Sequence, residues 1–205
     1  MNELGILIDV SQLTTPALKQ VLSLSKAPVV ATHSGLRAIV DVSRNLSDEE
    51  LDLIKTNGGV VQVVAFSNYL RKAPEGSDSH SPATSATVAQ VVDAISYAVK
   101  RIGIDHVGIS SDFNHGGGVA GWQNEGETQN VTVELLRRGY SERDIAKLWG
   151  GNFLRAWAQA QWRAKAVRGP RKIIATQVSL SQSAKYRLSN SAAVSIPGAN
   201  SPSRY

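Results

Sequence analysis

Four groups of residues able to do chemistry each stand at the end of an apolar run in the first 113 residues. Asp9 and Gln12 close "LGILIDV" (4–10), and His33 and Ser34 close "APVVATH" (27–33). Ser67-Asn68-Tyr69 follows "GVVQVVAF" (59–66), and Asp112 ends "HVGISSDF" (106–113). Carboxylates move protons or hold cations, and a neutral imidazole offers a lone pair to a proton or a metal. In parallel α/β architectures the loops after the strands converge on one mouth, so residues at these ends share a site.

Each residue also has a purely structural reading. A single histidine after a strand is more often structural than a ligand. Asp112 could cap a turn or accept from the amides of Gly116–Gly118. Those glycines match no phosphate-binding pattern. His80 and His115 fall in loops, His106 precedes its strand at the end away from the mouth, and Arg44-Asn45 could decorate a loop. The common position, rather than any one residue, carries the functional reading.

The four runs are nearly continuous in Ile, Val and Leu, as parallel strands covered on both faces are. Helical signals separate them. Thr15-Pro16 opens a segment carrying Leu18, Val21, Leu22 and Leu24. Ser47-Asp48-Glu49-Glu50 is a capping box ahead of Leu51 and Ile54, stopped by Gly58. Over 84–102, Val88, Val91, Val92, Ile95, Val99 and Ile102 share a face. Further helices are expected near 127–138, 141–149 and 152–166. Strand followed by helix, four times over, predicts a parallel α/β fold in residues 1–167.

The charge is unevenly spread. The chain has 205 residues and a formal charge of +5, but eight of its 22 basic residues and none of its acids lie in 163–205. The remainder holds 14 basic against 17 acidic residues, a net of −3, so the basicity belongs to a tail. Residues 168–205 contain eight serines and no helical stripe, and are expected to be a low-complexity, disordered tail with at most a short strand in "KIIATQVSL". Only Tyr186 and Tyr205 are aromatic there, which argues against a nucleic-acid stacking platform. The absence of cysteine excludes disulfides and thiolate metal sites. No run is long and apolar enough for a transmembrane helix and no signal peptide is read, so a cytoplasmic location is the default expectation.

Taken in order, "IDVSQLT" (8–14), "ATHSGLRAIVDVSRNLSDEEL" (31–51), "NGGVVQVVAFSNYL" (57–70), "GIDHVGISSDF" (103–113) and "ELLRRGYSERDIAKLWGGNFLR" (134–155) resemble the membrane dipeptidase (renal dipeptidase-like) metallopeptidases, in particular the bacterial ones. The resemblance covers residues 3–160 and implies the C-terminal half of a (β/α)8 TIM-type barrel. It implies a dipeptide substrate, hydrolysed by a hydroxide bridging two zinc ions at the barrel mouth. By the same resemblance His33 matches a zinc ligand, Arg44 the arginine that binds the substrate carboxylate, Tyr69 a pocket residue, and Asp112 the acid that shuttles a proton to the leaving amine.

Three departures qualify that expectation. Gln12 stands where the family's "DVSH" has a histidine ligand, and an amide is a weak zinc donor. "DFDG" appears as Asp112-Phe113-Asn114-His115, which removes an acid. No counterpart of the family's His-x-Asp pair and bridging glutamate is found. A half-barrel also leaves two parallel edges unpaired. A homo-oligomer, a missing N-terminal half and a truncated, inactive member are the open arrangements. The expectation is therefore a zinc dipeptidase by family, incomplete alone, with a non-catalytic binding or assembly module as the alternative.

Overall fold

The computed structural model describes residues 1–72 and 85–168. The tail from Gly169 and His80 lie outside the described residues. Four parallel strands, β1 (Ile8–Asp9), β2 (Val29–Ser34), β3 (Val60–Val64) and β4 (Val107–Ser110), form one sheet in the order β1-β2-β3-β4. Sequential parallel order with a crossover helix after each strand is the topology of half a (β/α)8 barrel. Among the described residues, β1 and β4 each pair on one side only.

The strands are shorter than their apolar runs. Asn2–Leu4 forms a 3₁₀ turn that Gly5 ends at φ 71°, so β1 begins only at Ile8. Gly5 lies 3.1 Å, measured from the Cβ it lacks, from the Cα of Gln161, a close approach that suits glycine. At the other end of the sheet, β4 stops at Ser110, and Phe113–His115 is again a 3₁₀ turn. The expectation that Asp112 terminates a strand is corrected: it stands in the loop two residues beyond.

Helices α1 (Thr15–Leu24), α2 (Asp48–Thr56), α4 (Val88–Ile102) and α5 (Gln129–Arg137) cover one face. Their residues Leu18, Leu51, Ile54, Val92, Ile95 and Leu135 share a core with Val29, Ala31, Val61, Val63, Val107 and Ile109 of the sheet. Burial of each Val, Leu or Ile side chain among them contributes about 1.5–3 kcal/mol. The Ser47–Glu50 capping box forms as the sequence predicts, and Thr87 with Gln90 makes a second one at the start of α4. A short helix α3 (Ser67–Leu70) follows β3 and carries Tyr69, where the sequence predicts only a strand end.

α6 (Glu142–Ala146) runs through a π-helical turn, Lys147–Gly151, into α7 (Asn152–Arg168). α7 crosses the amino-terminal edge of the sheet. Asn152 donates to the carbonyls of Ile104 and Val107 (2.6 and 2.8 Å), and Arg155 to those of Gly58 and Asp105 (3.0 and 2.9 Å). Ala156 packs on Val30 and Val60. That end of the sheet is closed by protein, and among the described residues the mouth lies at the carboxyl ends of the strands.

Candidate functional site

The mouth is organised by the ends of β1 and β2. Asp9 closes β1, and its Oδ1 accepts from the backbone amides of Ser11 (2.9 Å) and Thr32 (3.2 Å). Its Oδ2 accepts from the Thr32 hydroxyl at 2.6 Å. Partial desolvation pushes the Asp9 carboxyl up, but these donors together hold it below its ordinary value. Thr32 Oγ1 lies 2.7 Å from His33 Nδ1, and His33 Nε2 lies 2.9 Å from Gln12 Nε2. The His33 backbone amide donates to Ser11 Oγ at 3.2 Å. The β2–β3 register shifts between Ala31 and Ser34, so the sheet is irregular where His33 is presented.

Arg44 arrives from the loop between β2 and α2. Its Nη2 donates to the His33 carbonyl at 3.4 Å, and its guanidinium carbon sits 5.7 Å from the centre of the Tyr69 ring. Its Nη1 is buried and has no acceptor among the described residues. Two more buried polar atoms of the same segment, Ser34 Oγ and Asn45 Oδ1, are likewise unpartnered. Asn45 holds the loop down: its amide nitrogen lies 3.2 Å from the Leu36 carbonyl, 2.8 Å from that of Val40 and 3.2 Å from that of Tyr69. Gly35 is required underneath, because a Cβ there would collide with Asn45 Oδ1 and stand 2.7 Å from Tyr69 Cβ. Gln12, Arg37, Arg44, Asn45 and Glu50 line a cavity of about 240 Å³ beside these residues.

Asp112 stands apart from this group. It lines a separate depression with Asn114, His115 and Glu125. The glycine loop does bond to it, but through the main chain: Gly117 donates to the Asp112 carbonyl at 2.9 Å. No hydrogen bond to its carboxylate is present among the described residues, and His115 Nδ1 is 3.9 Å away. The turn-capping reading therefore does not account for the side chain. One strand separates β2 from β4, so their carboxyl ends lie about 10 Å apart, and a dipeptide spans about 7 Å. Gln12 (φ 66°) and Asp112 (φ 53°) are the only non-glycine residues in the left-handed region among those described. Such conformations cost on the order of 1 kcal/mol and gather at functional sites.

The structure thus links Gln12 to His33, His33 to Arg44 and Arg44 to Tyr69, and leaves Asp112 at the far side of the same sheet end. The sequence reading noted Asp9 but missed its use, and it missed Thr32, Ser11 and Asn45 as supports. "DVSQ" and "THS" hold the polar residues, but only the register shows that they bond to each other. His106 bonds the Gly59 carbonyl at 2.8 Å, a structural role at the closed end. The donors do not assemble a metal centre. No group of three or more His, Cys, Asp or Glu is placed to hold an ion among the described residues. His33 Nε2 instead lies against the Gln12 amide nitrogen. No described helix is long and apolar enough to cross a membrane.

The profile of the family described as Membrane dipeptidase (Peptidase family M19) matches residues 1–171. The chain belongs to this family. It is 36% identical over 159 residues to dipeptidase verJ of Clonostachys rogersoniana, covering 76% of this chain but 37% of that protein. Among solved structures, the probable dipeptidase PvdM of Pseudomonas aeruginosa superposes with a TM-score of 0.73 at 48% identity, covering 79% of this chain and 52% of that one. A Rhodobacter sphaeroides metallopeptidase, solved with a phosphinate mimic of the dipeptide L-Ala-D-Ala, gives 0.70 at 29% identity, over 78% and 44% of the two chains. The chain therefore spans under two fifths of that curated relative and about half of these structures.

Proposed function

We propose that this M19 chain supplies the substrate-binding side of a dipeptidase mouth. Arg44 takes the free carboxylate of a dipeptide, Tyr69 walls the pocket, and Asp112 carries the proton for the leaving amine. The observation that supports this most is the Arg44 Nη1, unpartnered among the described residues, beside a half-buried aromatic ring. A buried guanidinium donor without an acceptor is costly, and a planar carboxylate is the acceptor whose geometry matches it.

The family implies a metal cofactor, typically zinc. Of the residues here, His33 is the one strong donor that the resemblance assigns to it and Gln12 a weak one, so further ligands must come from outside the four described strands. A second copy of the chain or a companion N-terminal half would supply them. The alternative, a binding module without hydrolysis, is favoured by one observation, the Gln12 amide seated on His33 Nε2.

Titration of the labelled chain with a simple dipeptide tests the binding reading. Arg44→Ala should weaken binding about 10–100-fold, the loss of one charge-assisted contact of about 1.5–3 kcal/mol. Arg44→Lys should restore only part of it. Unchanged affinity in Arg44→Ala would remove the proposal.

A further inference from the structure

We propose that Asp9, acting through Thr32, is the positioning residue that fixes which nitrogen of His33 carries the lone pair. This deepens the reading above, since His33 is the imidazole the mouth presents.

The inference follows from counting protons. An ionised carboxylate can only accept, so the 2.6 Å contact between Thr32 Oγ1 and Asp9 Oδ2 commits the single Thr32 hydroxyl proton to Asp9. Thr32 Oγ1 then has only lone pairs to offer His33 Nδ1 at 2.7 Å, so Nδ1 carries the ring hydrogen. Nε2 is left as the acceptor and is aimed at the mouth. Gln12 must in turn present its amide nitrogen, and the 2.9 Å contact does join Gln12 Nε2 to His33 Nε2. The chain of donation runs Gln12 to His33 to Thr32 to Asp9, each step with one proton and one acceptor. Ser11 Oγ, 3.4 Å from Thr32 Oγ1, also accepts the His33 amide and leaves this order unchanged.

Asp9 is itself held in one orientation. Its Oδ1 is fixed by the amides of Ser11 and Thr32, so Oδ2 is the oxygen left for the hydroxyl. This makes Asp9→Asn a diagnostic change. The asparagine oxygen must stay on the two amides, which turns its NH₂ toward Thr32. The Thr32 proton is then released to His33 Nδ1, and the ring hydrogen moves to Nε2. Second-sphere partners of this kind orient an imidazole and set its basicity.

The test is long-range proton–nitrogen NMR of His33 in the ¹⁵N-labelled full chain, above the imidazole titration range. Wild type should show the Nδ1–H tautomer, Asp9→Asn the Nε2–H tautomer, and Thr32→Ser, which keeps the hydroxyl, the wild-type pattern. A wild-type spectrum of the Nε2–H form would overturn the inference without any variant. So would an Asp9→Asn protein that folds and keeps Nδ1–H. The measurement needs no ligand, so failure of dipeptide binding would leave it standing.

Discussion

Replacing Asn45 tests how the Arg44 loop is held. Its side chain is buried, at 2% exposure, and its amide nitrogen reaches three carbonyls. Two of these have other donors: the Leu36 carbonyl receives the amides of Ile39 and Val40, and the Val40 carbonyl that of Val42. The Tyr69 carbonyl has no second donor among the described residues. Asn45→Ala therefore removes bonds worth about 0.5–1.5 kcal/mol each and leaves one carbonyl without a donor among the described residues, a loss of about 2–3 kcal/mol in all. For a chain of this size that is a fall in Tm of about 4–12 °C. Asn45→Asp has almost the same shape but turns a donor into an acceptor facing three oxygens. It should cost at least about 1 kcal/mol more than alanine. Urea and thermal melts followed by circular dichroism measure both. If aspartate is tolerated as well as asparagine, or alanine costs less than about 0.5 kcal/mol, the donor role assigned to Asn45 is wrong.

Gly35→Ala should displace Tyr69 and Asn45 at a cost of about 1–3 kcal/mol, and weaken dipeptide binding in the same variant. The isolated chain should bind less than one zinc per chain and show no dipeptide turnover at ordinary enzyme rates of about 1–10³ s⁻¹; metal analysis and a hydrolysis assay decide it. Hydrogen bonds from Arg137 and Arg138 lower the Glu134 carboxyl to about 2. Because its folded value lies below the unfolded one, the stabilisation is full above the unfolded value and is lost as pH falls toward about 2. An NMR titration of Glu134 should show a midpoint near there, moving up in Arg138→Gln.

The parallel sheet and its helices were legible because buried strands read as unbroken apolar runs and the helices carry their caps and stripes locally. Strand ends were less so: the chain enters β1 after Gly5 and leaves β4 before Asp112, both in left-handed backbone, which apolar content does not report. That Gln12, His33 and Tyr69 share one mouth followed from their positions after strands, whereas the place of Arg44 there followed only from the family resemblance. Their bonding did not, because the Asp9–Thr32 link depends on β1 and β2 lying side by side in a particular register. The short α3 was missed because its four residues are too few to show a helical period.

The carboxylate-binding role of Arg44 is tested most directly by comparing a dipeptide with its C-terminal amide against the unaltered chain. The two ligands differ only in the group that Arg44 is proposed to hold. The acid should bind at least about 10-fold more tightly, with chemical-shift changes centred on Gly35, Arg44 and Tyr69. Equal affinities, or shift changes that leave those three residues untouched, would contradict the account.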